Sequence, residues 1–203
     1  MRSWDDKAVF GPGGFRQPGQ KSVVPDEHYA AIGKIADVWA DLEFSVDRVI
    51  WDVLGEEQSL YACVTAQLIS ILPKLDALIA LSEKLGANPK TLKSLKAFQG
   101  SIGSLVKQRN RVIHDHRIIW FGKGEVARFE VSAKGTAVFA PITETIDELS
   151  ALRIKIDDKI SEFRLIWDDL SSELGPLQDR PRVRVLRTRS RKGSQPTHPS
   201  DSK

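Results

Sequence analysis

The 203-residue sequence is poor in cysteine, and that scarcity bounds the protein early. Its one cysteine, Cys63, excludes a disulfide framework and fits a reducing, cytoplasmic compartment. Cys63 falls inside a helical pattern, where a lone thiol is expected to be a small core residue rather than a nucleophile. No apolar run approaches the ~18 residues needed to cross a bilayer, so no membrane contact is expected. The start of the chain, with Arg2 and then Trp4-Asp5-Asp6, has no apolar segment of the kind a secretory signal requires. There is also no glycine-rich phosphate loop, no CxxC pair, no Ser-His-Asp arrangement and no dinucleotide fingerprint. The common cofactor enzymes are thereby removed, and no cofactor is expected.

What is present reads as globular. Apolar residues make up 41% and charged residues 28%, and the length suits one domain plus tails. The net charge of +3 is unevenly spread. Residues 176–203 hold eight Lys or Arg and two acids, which leaves 22 basic and 25 acidic residues in the rest. Arg180, Arg182, Arg184, Arg187, Arg189, Arg191 and Lys192 form a basic run with no acid inside it. Such a run is suited to phosphate contacts. The plain alternative is a solubilising terminus.

The pattern along the chain predicts a mainly helical protein. Residues 1–24, with Gly11-Pro12-Gly13-Gly14 and Pro18-Gly19, read as a flexible arm. A first helix opens at Pro25-Asp26-Glu27, carries Ile35, Trp39, Leu42, Val46, Val49 and Val53 on one stripe, and ends at Gly55. Its acids, Asp37, Asp41, Glu43, Asp47 and Asp52, are expected on a solvated face. His28 is expected in solvent. A second helix spans about Ser59 to Leu85, with Val64 and Leu68 on its stripe, and Pro73 should kink it or split it. Asn88-Pro89 restarts the chain as a third helix, in which Gly100 and Gly103 would let another backbone come close. Three β-prone runs at about 117–140 read as a hairpin or meander that must lean on the helices. Thr143 or Thr145 caps the last helix, with Glu148 completing a capping box after Thr145. Residues 176–203 read as a disordered basic tail. The sum is one domain over 25–175, a four-helix bundle with a small β insertion between its third and fourth long helices.

The segment Gln108-Arg109-Asn110-Arg111-Val112-Ile113-His114-Asp115-His116 carries the chemistry. Two histidines, an aspartate and two arginines cluster at a helix end, beside an apolar seam. Arg109 and His114 lie five positions apart, ~7.5 Å along the axis and ~140° around it. They would flank a shared groove, or meet if the last turn loosened. A polar cluster at a helix C-terminus, where cations are favourable anyway, is the structural alternative. Metal ligation by His114, His116 and Asp115 is a poor match to helical zinc spacing. Trp39, Trp51, Trp120 and Trp167 are expected in the core or at an interface.

Arg109-Asn110-x-x-x-His114 at a helix end in a compact bundle resembles the signature of the HEPN superfamily. The order of the helices is similar, as is Trp39-Ala40-Asp41-Leu42-Glu43 in the first helix, and the resemblance covers residues 28–172. The β insertion directly after the motif departs from the pattern. The resemblance implies a homodimeric, metal-independent endoribonuclease, toxin-like or acting in defence or RNA processing. Arg109, His114 and Asn110 would be its catalytic residues, with Asp115 and His116 as auxiliaries. It implies RNA as substrate and an antitoxin or other protein as a further partner. Histidine titrates near neutrality and suits either proton role, while an arginine fork matches phosphate oxygens. The competing expectation is a non-catalytic bundle that binds a partner protein or nucleic acid.

Overall fold

The computed structural model describes residues 24–55, 58–120, 125–132 and 138–174. The predicted arm, apart from Val24, and the basic tail lie outside these residues. Five helices and a three-stranded antiparallel sheet account for most of them, in the order α1 (Asp26–Leu54), α2 (Gln58–Thr65), α3 (Ile71–Lys84), α4 (Pro89–His114), β1 (Arg117–Trp120), β2 (Glu125–Ser132), β3 (Val138–Thr143) and α5 (Ile146–Leu174).

The helix boundaries follow from local chemistry. Acids occupy the first turn of α1, where they meet its dipole. Gly55 at φ 135° stops it, a conformation that favours glycine. Asn88 caps α4 by accepting the Lys90 amide at 2.9 Å, and Pro89 takes the first helical position. Thr145, not Thr143, caps α5. The Glu148 amide donates to Thr145 Oγ1 at 3.2 Å, and Glu148 Oε2 accepts from the Thr145 amide at 2.9 Å.

The second helix expected over 59–85, kinked or split at Pro73, is two helices, and the break falls before the proline rather than at it. The chain leaves helical geometry across 66–70, and Pro73 becomes the third residue of α3. An N–H at that position has no intrahelical acceptor, so the proline removes no bond there. Val64 and Cys63, expected on the buried stripe, are exposed on the short α2. Gly100 and Gly103 do not break α4, and a Cβ built on either meets nothing within 4 Å. No other backbone of the described residues approaches them. Val24, the last residue of the expected arm, is buried.

The core is a layer of helices on helices. α1 packs most extensively on α5, and α4 lies against α5, α3 and α1. α4 runs antiparallel to α5. Glu173, near the end of α5, accepts from the Asn88 amide and Thr91 Oγ1 at the start of α4. Midway, the Phe98 and Phe163 rings meet at a tilt of 37°, 5.3 Å between centroids. Each is essentially fully buried, worth about 1.5–3 kcal/mol of transfer free energy. Leu42, Leu75, Ile102 and Ile156 complete the centre.

The β segment is a meander in the order β1-β2-β3. It reaches Thr143, past the expected end near residue 140, because β3 continues through Pro141. β3 pairs on one side only, and an edge position tolerates a residue that cannot donate to a ladder. Val126 and Phe129 are buried, and Arg128 and Glu130 of β2 pair with Asp115 and Arg111 at the end of α4, which ties the sheet to the helical body.

Candidate functional site

The last turns of α4 place the motif residues on different sides of one continuous helix. Arg109 turns inward. Its guanidinium lies 5.8 Å from the Trp39 ring of α1, and Nη1 donates to Asn110 Oδ1 at 3.1 Å. Arg109 Nε is buried and has no hydrogen-bond partner. Trp39 is held in turn, since its Nε1 donates to Glu43 Oε1 at 3.0 Å. Asn110 and His114 are exposed on the outer side of the helix. α4 runs unbroken to His114, so the loosened last turn that would bring His114 to Arg109 is not adopted.

The two expected auxiliaries differ. His116 has an exposed side chain, and its carbonyl accepts the Phe129 amide at 2.8 Å. Asp115 belongs to an ion network. It pairs with Arg128 at 2.9 Å and Arg111 at 3.6 Å. Arg111 also meets Glu130 at 3.2 Å. Deeper in, Arg117 and Glu144 form a buried pair at 2.7 Å, with a second contact at 3.1 Å. Arg117 Nη2 donates to the Val112 carbonyl at 2.5 Å, and Nη1 to the Asp115 carbonyl at 3.3 Å. These bonds satisfy carbonyls that a helix end otherwise leaves open.

His28 corrects the expectation of a solvated side chain. It is buried, and its Nε2 bonds the Glu144 carbonyl at 3.0 Å, tying the start of α1 to the strand-to-helix junction. Nothing in its local sequence marked this, because the partner lies 116 positions away. Asp47 likewise leaves the expected solvated face and pairs with Lys74 at 2.7 Å. Trp51, half-buried, donates to Thr65 Oγ1 at 3.0 Å.

An open cleft of about 430 Å³ lies between α4, β2–β3 and the start of α5. Arg111, Arg128, Lys107 and Lys155 line it with Glu130 and Glu144, over Val112, Leu149 and Leu152. Arg109 and His114 do not line it. Among the described residues, no group of three or more His, Cys, Asp or Glu is arranged to hold a metal ion, and no helix is long and apolar enough to cross a membrane. The tail residues Arg180, Arg182, Arg184, Arg187, Arg189, Arg191 and Lys192 lie outside the described residues.

One signal in the sequence stands out only once the helix is in view. The 26 residues of α4 carry six Lys or Arg and no acid. α1 carries seven acids and two bases, and α5 eight acids and four bases. The positive charge of the described domain is therefore concentrated on the helix that bears the motif. Comparison with family models, curated proteins and solved structures finds no match to this chain.

Proposed function

We propose that this chain is a metal-independent endoribonuclease of the HEPN type, active in the cytoplasm as a homodimer. We read α1, α3, α4 and α5 as the four helices of its bundle, with α2 as a connector. The observation that carries the reading is a contrast among the arginines at the end of α4. Arg111, Arg117 and Arg128 each face a carboxylate within 4 Å. Arg109 has none among the described residues, and its charge is held by an aromatic ring and one amide. A guanidinium with no carboxylate partner, on the same helix as the exposed His114 but ~140° around it, suits an anion supplied by a substrate, such as a phosphodiester.

In the reaction, the 2′-hydroxyl oxygen attacks phosphorus and the bond to the 5′-oxygen breaks. The products are a 2′,3′-cyclic phosphate and a 5′-hydroxyl. His114 of one copy takes the 2′-hydroxyl proton, and His114 of the second copy protonates the departing 5′-oxygen. Arg109 offsets charge building on the phosphoryl oxygens. Asn110, bonded to Arg109 and exposed at its other side, orients that fork toward the substrate. A single motif offers one clear proton carrier, which is why the reading requires two copies. The role would be toxin-like, with an antitoxin as partner, or in defence or RNA processing.

A second reading is supported by a specific observation. Arg109 packs inward and lies ~140° around the helix from His114, as in a non-catalytic module that binds a protein or nucleic acid and uses Arg109 structurally. The test is incubation of the protein and of His114→Ala with structured and single-stranded RNAs in EDTA. The ribonuclease reading expects cleavage by the unaltered protein alone, leaving cyclic phosphate ends. Intact RNA throughout, with the dimer present, overturns it in favour of the module. Poor growth on expressing the intact protein alone is the outcome expected of a toxin.

A further inference from the structure

α4 presents more than the motif to solvent. At 3.6 residues per turn, Lys93, Lys96, Gly100, Gly103, Lys107, Asn110 and His114 fall within a band of roughly 100°. That band lies opposite Leu95, Phe98, Ile102 and Leu105, which face the core. The three lysines, Asn110 and His114 are all exposed. No carboxylate of the described residues is within ion-pair distance of Lys93, Lys96 or Lys107. The band is ~32 Å long from Lys93 to His114 at about 1.5 Å per residue.

The two glycines are a separate observation. Glycine in a helix interior costs about 1 kcal/mol relative to alanine. Here it meets no packing need, since an added Cβ at Gly100 or Gly103 would touch nothing within 4 Å. Their effect is to bare the helix backbone at the middle of the band, between Lys96 and Lys107. A chain of negative charge laid along α4 would come close there and meet a lysine on each side.

We infer that the outer face of α4 is a track for the phosphate backbone of single-stranded RNA, running from Lys93 past Gly100 and Gly103 to His114. Three features favour RNA over an acidic protein. The charges are spaced along a line, the lysines are point charges suited to phosphate without sequence preference, and the face lacks the large apolar anchors that protein interfaces use. The inference deepens the ribonuclease reading by giving the strand a path to His114, and it rests on that reading for the identity of the nucleic acid.

The experiment measures binding of the full chain to a fluorescent 2′-O-methyl oligoribonucleotide, which has no attacking hydroxyl and is not consumed. The salt dependence is followed between about 50 and 200 mM. In the variant Lys93→Gln, Lys96→Gln, Lys107→Gln, affinity should fall at least tenfold at the lower salt. The slope of log affinity against log salt should lessen by about 2, at ~0.7 per lost contact to a single strand. A variant with Arg187→Gln, Arg189→Gln and Arg191→Gln removes the same charge from the tail. If the tail variant loses the slope and the α4 variant keeps it, the track is wrong. Equal, lysine-dependent binding of polyglutamate would also overturn it, because the surface would then be a general polyanion site. RNA cleavage by a chain whose α4 variant binds normally sinks the track and spares the ribonuclease. Lysine-dependent binding without cleavage of ordinary RNA does the reverse.

Discussion

The last turns of α4 have two sides, and they treat charge in opposite ways. On the side facing the sheet, Arg111, Asp115, Arg117, Arg128, Glu130 and Glu144 neutralise one another at 2.7–3.9 Å. On the outer side, Asn110 and His114 face solvent with no carboxylate of the described residues in ion-pair reach. Both sides looked alike in the linear sequence, as one cluster of polar residues near His114. The fold separates them. One side closes the helix end and ties it to the meander, and the other is exposed to solvent among the described residues.

The largest effects are expected on the side that faces the sheet. Arg117→Ala leaves Glu144 buried without its close partner, with only Arg128 at 3.9 Å, and should cost about 3–5 kcal/mol in chemical denaturation. Replacing the pair together, Arg117→Met with Glu144→Gln, should recover much of that loss, because no unpaired charge remains. His28→Leu removes the bond to the Glu144 carbonyl and should cost about 1–3 kcal/mol by the same measurement. Thr145→Ala removes one half of the capping box of α5, and the expected loss is about 1 kcal/mol. On the outer side the sign reverses. Gly100→Ala and Gly103→Ala should each raise stability by about 0.4–1 kcal/mol, seen as a higher melting temperature. A drop there would mean that the bare backbone serves the fold rather than a ligand.

Much of the helical frame was legible in the sequence, for physical reasons. The apolar stripes of α1, α4 and α5 have unbroken three-four spacing, and the Asn88-Pro89 and Thr145-Glu148 signals act within a few residues of themselves. The three strands were readable from β-prone runs, though Pro141 concealed how far β3 extends. What escaped were effects of distance. His28 is buried by a carbonyl from the far end of the domain, and Asp47 is drawn into a pair with Lys74. The break at 66–70 also escaped, because α2 is short and its Val64 and Cys63 face outward. At the site, the position of the motif at a helix end was legible. The inward turn of Arg109 onto Trp39 was not, since the ring that holds it comes from another helix. The acid-free composition of α4 was present in the sequence throughout, but it has meaning only once the limits of that helix are known.

The most direct test of this division is His114→Ala, measured twice: its melting temperature against the unaltered chain, and its cleavage of RNA in EDTA. An exposed side chain with no partner among the described residues should leave stability within about 0.5 kcal/mol, while cleavage is lost. A variant that melts markedly earlier and still matches the unaltered chain in its action on RNA would contradict the account, and would place His114 with the structural side of the helix.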